Sequence, residues 1–367
     1  MIWSQAYHYI HNVFIVALKQ SKVNERNAGI MKIIAIIGAG MMGSAMSFPA
    51  SDNGYEVHLV GTPLDRGIIS RAREDGYHET LKCNLPENVK CYQFEELNDA
   101  VQGARLIIGG VSSFGIDWFA QSVLPCLSDS VPLLFITKGL KSDENGALIP
   151  FPVWLKSLDA GRNKSINAVG GPCISFELAG RQHTEVAFCG SDLNTLKSIK
   201  QMLTTSYYHI TVTTDIYGIE TAVAMKNAYA MGVSLAVGLA QKDTDGAPEK
   251  YNPQAGLFYQ STKEMSAIIK RAGGAESAVF FGAGDLYVTV FGGRTRRLGT
   301  LFGKGYTYKQ ASEVLSGVTL ESVAIIKVVC GALERSKDME KYPLLRYLYS
   351  LINDEPRTEI PWDSFCG

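Results

Sequence analysis

The sequence lacks the closely paired cysteines of a metal-binding or disulfide-rich protein. Its seven cysteines are an odd number, and no two of them stand in a CxxC spacing. This pattern argues against a disulfide framework and against a zinc site, and it favours a reducing compartment. We therefore predict that the protein binds no metal and is cytoplasmic.

An excess of charge of one sign is also missing. The 367 residues include 35 Lys and Arg against 36 Asp and Glu, for a net charge of −1, and no long basic run occurs. Such a chain is not expected to bind nucleic acid as its main function. Hydrophobic residues make up 46% and charged residues 19% of the sequence, which predicts a compact globular protein, and the length predicts two domains.

Long hydrophobic runs are scarce. Residues 1–30 have no basic start, and their longest apolar run, VFIVAL, is too short for a secretory signal or a spanning helix. We predict an N-terminal extension with Met31 opening the fold, or alternatively a weak amphipathic helix that docks elsewhere. Residues 220–240 are long enough to span a membrane, but Lys226 and Asn227 interrupt them and no second span accompanies them. We predict a buried helix and no membrane span.

The N-terminal half carries apolar runs that read as strands. KIIAII at 32–37 leads into GAGMMG and a helical stretch, and YEVHLV follows at 55–60. Further runs of this kind stand at 104–111, 131–137, 166–171 and 185–190. Apolar strands without strict alternation, separated by helical stretches, predict a parallel sheet that is covered on both faces.

Strand signals fade after about residue 216. Helical patterns occupy 217–241, 256–272, 308–315, 319–335 and 343–352. The sequence therefore predicts an α/β fold, with a Rossmann-type doubly wound parallel sheet over 31–216 and an all-helical C-terminal domain over 217–367.

A glycine turn follows the first predicted strand. In GxGxxG, Gly38 permits the tight turn, Gly40 lets the backbone approach a pyrophosphate, and Gly43 lets the helix pack closely on the strand. Because the motif stands between a strand and a helix, it predicts a dinucleotide site, and we assign Met41 and Met42 within the turn to the same site.

The end of the second predicted strand bears on which dinucleotide binds. It reads Val60-Gly61-Thr62 without an acid, and the next acid is Asp65, with Arg66 beside it. An acid at this point would select NAD by binding the ribose 2′-OH, so its absence favours NADP or no preference. Thr62 is assigned to the cofactor site. Arg66 is equally compatible with a solvated helix start.

Two lysines and an acid are candidates for chemistry. Lys138 follows the run 131–137, at the edge of the sheet where ligands bind. Lys226 stands inside the apolar helix, where burial of an ammonium group lowers its pKa toward neutrality, unless the side chain reaches water. Asp285 would satisfy a buried Lys226, and Thr289, four residues further on, shares its helical face.

An arginine cluster follows a glycine pair. Arg294 is suited to grip a phosphate or carboxylate with its planar guanidinium group. Arg296 and Arg297 stand close by, and we predict that at least one of the three arginines is simply solvated.

These motifs together resemble one known family. IIGAGMMGSA, ITKGL, GGPCISFEL, AMKNAYAMG, GAGDLYVTVFGGRTRRLG and LFGKG occur in the order found in NAD(P)-dependent glycerol-3-phosphate dehydrogenases, over about 32–335. The resemblance implies a cytoplasmic enzyme that interconverts dihydroxyacetone phosphate and sn-glycerol 3-phosphate by hydride transfer with NAD or NADP. It also implies a supply of glycerol 3-phosphate for phospholipid synthesis, a small phosphorylated substrate as the binding partner, and a possible homodimer.

The resemblance also implies roles for individual residues. Lys226 corresponds to the proton-transfer lysine, Asp285 to the acid supporting it, and Lys138 to a lysine that touches cofactor and substrate. Arg294 corresponds to the substrate-phosphate arginine, which also lies by the cofactor. The remaining assignments are Gly171, Asn227, Thr289 and Thr295 for the substrate, and Ser175 and Glu321 for the cofactor.

Three departures from the family pattern leave alternatives open. Thr295 replaces an asparagine, Cys173 stands where threonine or asparagine is common, and the loop 241–251 is long. One alternative is a reductase of a different phosphorylated ketone. The other is a non-catalytic dinucleotide sensor, which would have no reason to keep Lys226, Asp285 and Arg294 together.

Overall fold

The structure is a computed structural model that describes residues 32–242, 244, 247–355 and 359–366. The predicted N-terminal extension, residues 1–30, lies outside the described residues.

An eight-stranded sheet forms the centre of the N-terminal half in the described part of the chain. Its strands are β1 (Ile33–Ile37), β2 (Glu56–Val60), β3 (Val89–Tyr92), β4 (Ala104–Gly109), β5 (Leu133–Phe135), β6 (Ile166–Gly170), β7 (Thr184–Cys189) and β8 (Tyr208–Thr213). They lie in the order β8-β7-β6-β5-β4-β1-β2-β3. The order 3-2-1-4-5-6 of the first six strands is that of a Rossmann sheet, which confirms the predicted fold class.

Every neighbouring pair in the sheet is parallel except β6 with β7, which is antiparallel. Two short antiparallel ribbons stand apart from it, one pairing Tyr77–His78 with Cys83–Asn84 and the other pairing Leu140–Ser142 with Leu148–Pro150. In the register of the central strands, Ile37 faces both Val60 and Gly109. The carboxyl ends of β1, β2 and β4 therefore lie together at one edge.

Eight helices accompany the strands in the described N-terminal half. They are α1 (Met41–Ala45), α2 (Ser47–Asp52), α3 (Arg66–Asp75), α4 (Leu97–Val101), α5 (Ile116–Trp118), α6 (Phe151–Ser157), α7 (Ser175–Ala179) and α8 (Leu193–Leu203). The helix after the glycine turn is interrupted at Met46, between α1 and α2. Pro49 lies in the first turn of α2, where its missing N–H leaves no helical hydrogen bond unmade.

Seven further helices follow in the described residues. They are α9 (Ile216–Ala240), α10 (Tyr251–Arg271), α11 (Val279–Val290), α12 (Gly293–Lys304), α13 (Tyr308–Val314), α14 (Glu321–Arg335) and α15 (Pro343–Ile352). The predicted division at residue 216 stays a prediction, and along the chain it falls at the first residue of α9.

Helix α9 is the centre of the helical part. It packs against α10, α11, α12 and α14, and it also contacts β6. Within the described residues it alone is long and apolar enough to cross a membrane, and 83% of its most apolar window is buried inside the protein. That burial is typical of a core helix.

Close backbone contact fixes α12 against α9. A Cβ on Gly299 of α12 would lie 2.3 Å from the carbonyl oxygen of Met231 on α9. A larger residue there would push the helices apart, so glycine sets the distance between the helix that carries Lys226 and the helix that carries Arg294.

Candidate active site

The site is built around one buried carboxylate. Lys226 Nζ on α9 donates a hydrogen bond to Asp285 Oδ1 on α11 at 2.6 Å. Lys138 Nζ, just beyond β5, donates to Asp285 Oδ2 and, at 3.1 Å, to the carbonyl oxygen of Gly171. The Asp285 side chain is 0% exposed, while those of Lys226 and Lys138 are 16% and 20% exposed. The two lysine side chains are therefore partly exposed, and the carboxylate that they share is fully buried.

The electrostatics of this cluster favour an anionic ligand. Burial lowers the pKa of Lys226; the Asp285 carboxylate opposes that shift and the Lys138 ammonium reinforces it. When both lysines are protonated, two ammonium groups share one carboxylate, and one positive charge is left uncompensated. A charge held in such a poorly hydrated site stabilises a developing oxyanion more than it would in water.

A half-buried cysteine connects this cluster with the glycine turn. Burial raises the pKa of Cys173 to about 12, so the thiol is neutral at physiological pH. Its Sγ lies 3.8 Å from Sδ of Met42 in the turn, and its titration is affected by the charges of Lys138, Asp285 and Lys226. Cys173 therefore lies between the lysine cluster and the turn.

The glycine turn has the geometry of a dinucleotide site. Gly38 has φ +112°, and a Cβ on it would meet the backbone of Gly110 at 2.7 Å, while a Cβ on Gly43 would lie 2.1 Å from the Gly38 carbonyl oxygen. A Cβ on Gly40 would meet nothing within 4 Å. The first and third glycines are thus required by packing, and the second faces open space, as a bound pyrophosphate requires.

The side chains after β2 fold back onto this turn. Asp65 Oδ2 accepts hydrogen bonds at 2.8 Å from both the N–H and the hydroxyl of Thr62, and at 3.2 Å from the N–H of Ala39. Arg66 pairs with Glu95, and both side chains are more than half exposed. An exposed pair of this kind contributes little stability, so Arg66 can exchange its partner readily.

The arginine cluster lies beyond the end of α11. Thr289 Oγ1 donates to the Asp285 carbonyl oxygen at 2.6 Å, one turn from the shared carboxylate. Arg294 is exposed at the start of α12, and the adjacent Thr295 is buried. Arg296 donates to the Val290 carbonyl and forms an ion pair with Glu249 in the segment before α10.

The remaining predicted site residues differ in their contacts and in their burial. Glu321 accepts hydrogen bonds from the N–H and hydroxyl of Ser113, which follows β4, so this carboxylate links α14 to the carboxyl edge of the sheet. Ser175 is buried at the start of α7, and Asn227 is half-buried beside Lys226. Met41 is 47% exposed in the turn.

Sequence reasoning missed several residues of this region. Ser113 contacts Glu321, and its position after an apolar run was a usable signal. Asp65 was named only as the next acid after the second predicted strand, and no contact with the glycine turn was predicted for it. His78 lies beneath the glycine turn, and no motif marks it.

Fold and site together define a class of protein. A Rossmann sheet carries an open glycine turn, and a buried lysine–carboxylate cluster adjoins it. These are the parts of a dinucleotide-dependent oxidoreductase. The helical half supplies Lys226 and Asp285 to this cluster.

Comparison with known proteins identifies the family. Residues 33–195 match the sequence model described as the NAD-dependent glycerol-3-phosphate dehydrogenase N-terminus, and residues 215–360 match the corresponding C-terminus. The chain belongs to this family of NAD(P)-dependent dehydrogenases, as the resemblance of its motifs predicted.

Individual relatives agree with that assignment. An NADP(+)-dependent glycerol-3-phosphate dehydrogenase of Archaeoglobus fulgidus is 34% identical, over 77% of this chain and 83% of the relative. A glycerol-3-phosphate dehydrogenase [NAD(P)+] of Shouchella clausii is 26% identical, over 88% and 92% respectively. The crystal structure of glycerol-3-phosphate dehydrogenase from Coxiella burnetii shares the fold, with a TM-score of 0.77 and 21% identity over 92% of this chain and 98% of that one.

Proposed function

We propose that the protein interconverts dihydroxyacetone phosphate and sn-glycerol 3-phosphate by hydride transfer with NADPH or NADH. The observation that carries the proposal is the Asp285 carboxylate shared by Lys226 and Lys138 beside the glycine turn. A dinucleotide sensor has no use for this cluster, since it would need only the turn.

The turn would hold the cofactor through Gly38, Gly40 and Gly43, with Met41 and Met42 along its edge. When bound, the reduced nicotinamide supplies a hydride to the substrate carbonyl carbon. Thr62 and Arg66 lie at the end of the second strand, where the adenosine ribose is bound in this fold. Arg66, in a weak surface pair, is available to a 2′-phosphate, which supports use of NADP.

Lys226 acts on the substrate oxygen. Its ammonium group, oriented by Asp285, donates a proton to the C2 oxygen as that oxygen becomes an alkoxide, and in the reverse direction the neutral amine accepts the proton. Burial lowers the pKa of Lys226, which makes its ammonium group a stronger proton donor than an exposed lysine. Lys138 adds a second positive charge, and its contact with the Gly171 carbonyl fixes its position.

Arg294 binds the substrate phosphate at the mouth of the cleft. A guanidinium group matches a phosphate with two parallel hydrogen bonds. Thr295 and Asn227 assist with a hydroxyl and an amide, and Thr289 keeps the adjoining turn of α11 in place. Ser175 and Glu321 contribute to the cofactor side.

Reduction of dihydroxyacetone phosphate, followed at the absorbance of the reduced nicotinamide with NADPH and NADH in parallel, tests the proposal. We expect turnover with NADPH at least as fast as with NADH. Faster turnover of another ketose phosphate would favour the alternative reductase, and cofactor binding without any turnover would favour the sensor.

The cellular setting follows from the reaction. Glycerol 3-phosphate made in the cytoplasm would supply phospholipid synthesis, and the enzyme would act as a homodimer. Light scattering of the purified protein tests the dimer, and a mass of one chain of 40.0 kDa would contradict it.

A further inference from the structure

A buried histidine lies directly beneath the glycine turn. His78, in the short ribbon after α3, is 0% exposed. Its Nε2 lies 2.9 Å from the carbonyl oxygen of Ala39 and 2.8 Å from Oγ of Ser44, and both partners belong to the turn and its helix. Nothing in the family motifs marks this residue.

The protonation state of the ring follows from its contacts. The N–H of Leu81 donates to His78 Nδ1 at 3.1 Å, so Nδ1 is an acceptor and the ring proton resides on Nε2. Burial lowers the pKa of His78, although the charges of Asp65 and Glu79 oppose the shift. The neutral ring therefore donates its single Nε2 proton, which is shared between the Ala39 carbonyl oxygen and Ser44 Oγ.

The two peptide groups that flank Ala39 are consequently held by side chains. Asp65 Oδ2 accepts from the Ala39 N–H at 3.2 Å, and His78 holds the Ala39 carbonyl. In a trans peptide the next N–H, that of Gly40, points away from the carbonyl and so away from His78. A Cβ on Gly40 would find open space within 4 Å. The dinucleotide would lie in this open space beside Gly40.

We propose that His78 is a positioning residue for cofactor binding: by holding the Ala39 carbonyl, it aims the Gly40 N–H at the cofactor pyrophosphate. Without this anchor the peptide before Gly40 can rotate, because glycine accepts the backbone conformations on both sides of such a flip. A rotated peptide presents a carbonyl oxygen to the phosphates and repels them. The inference rests on the proposed function only for the identity of the dinucleotide.

Two substitutions separate the two nitrogens of the ring. His78→Asn keeps an acceptor near the Nδ1 position for Leu81 and removes the donor to Ala39, whereas His78→Gln places an amide N–H near the Nε2 position and removes the acceptor. NADPH and NADH binding is measured by titrating cofactor fluorescence without substrate. We expect His78→Asn to raise Kd about tenfold, the change for one lost hydrogen bond, and His78→Gln to stay within about threefold of wild type.

A second buried histidine provides the matched control. His58 on β2 contacts the Ala100 carbonyl oxygen through Nδ1 and Glu56 through Nε2, both at 2.7 Å, and neither of these partners belongs to the glycine turn. His58→Asn and His58→Gln should lower Tm without changing Kd for the cofactor. In both His58 variants, kcat at saturating cofactor and KM for dihydroxyacetone phosphate should match wild type.

Equal Kd changes in the two His78 variants, or none in either, would overturn the inference. Selective ¹⁵N-histidine labelling of the wild-type protein gives a test that needs no variant: the His78 proton should reside on Nε2, and a proton on Nδ1 would overturn the inference as well. A protein that binds NADPH in this way but does not reduce dihydroxyacetone phosphate would refute the proposed function and leave the role of His78 standing.

Discussion

Asp285 and Lys226, 59 positions apart in the chain, meet in a 2.6 Å hydrogen bond between Oδ1 and Nζ. This contact explains how an apolar helix can hold an ammonium group. An unpaired buried charge would cost several kcal/mol, and the carboxylate offsets that cost. Because Lys138 binds the other oxygen, each lysine also limits how far the carboxylate can turn.

Replacing the shared carboxylate tests this arrangement. In Asp285→Asn, two ammonium groups face each other without a counter-charge, and the pKa of Lys226 falls further. We expect kcat for ketone reduction to fall about 10²-fold. The alkaline limb of its pH profile should move to lower pH, since the ammonium form is lost earlier.

Asp129→Asn is the control for that change. Asp129 pairs with the buried Lys164 at 2.8 Å, but it precedes β5 and so lies at the opposite edge of the sheet from Lys138. Its kcat and pH profile should match wild type. An unshifted alkaline limb in Asp285→Asn would contradict the coupling of Asp285 to Lys226.

The phosphate contact can be tested within one helix. Arg294→Ala should remove a charge-assisted hydrogen bond of about 1.5–3 kcal/mol and raise KM for dihydroxyacetone phosphate roughly 10–150-fold. Arg297, also exposed on α12, is the control, and Arg297→Ala should leave KM within about twofold. Similar KM values for the two variants would remove Arg294 from the phosphate site.

Substitutions at two glycines of the turn should affect thermal stability and cofactor binding differently. Gly43→Ala places a Cβ 2.1 Å from a backbone oxygen and should lower Tm, whereas Gly40→Ala enters open space and should leave Tm unchanged. Gly40→Ala should still weaken cofactor binding at least about tenfold, because its methyl group occupies the space of the pyrophosphate. A Gly40→Ala variant with wild-type Kd would refute the site.

The burial of Glu220 on α9 predicts that the free energy of unfolding depends on pH. Its side chain is 0% exposed, both oxygens have no hydrogen-bond partner among the described residues, and burial raises its pKa to about 8. The folded protein keeps a proton that the unfolded chain releases above its ordinary pKa of 4.5. The stabilising contribution of the protonated acid is therefore lost progressively as pH rises from about 4.5 to about 8.

Glu220→Gln is neutral at every pH and should remove this slope. The Tm of the variant should exceed that of wild type by a margin that grows between pH 5 and pH 8, as measured by calorimetry. Glu185→Gln, an exposed substitution on β7, should show no such trend. A constant difference in Tm would show that Glu220 is ionised throughout.

Much of the fold could be read from the sequence because the interior strands are continuous apolar runs. β1, β4 and β6 are buried along nearly their whole length. The edge strands β3 and β8 were missed, since Lys90 and His209 face solvent within them and interrupt the apolar pattern.

Helix α12, and all of α11 except the helical turn from Asp285 to Thr289, were missed for a different reason. Their sequence is rich in glycine, which is unfavourable in helices and predicts a bend. In the structure, however, Gly282 and Gly299 are the positions where these helices approach the backbone of α9. Tertiary packing outweighs helix propensity there.

In the candidate site as well, the sequence identifies some residues, and only the structure shows the others. Lys138, Lys226 and Asp285 could be named because their motifs are specific, although the joint contact on one carboxylate could not. His78 reaches Ala39 and Ser44 from a two-stranded ribbon more than thirty positions further along the chain, and neither periodicity nor spacing in the sequence predicts such contacts.

The most direct test of the central claim is the turnover of Lys226→Met with dihydroxyacetone phosphate and NADPH, both saturating, alongside the Kd for NADPH. The account predicts a loss of roughly 10²–10⁴-fold in kcat, with Kd for NADPH within about twofold of wild type. A kcat within about twofold of the wild-type value would contradict the assignment of proton transfer to Lys226.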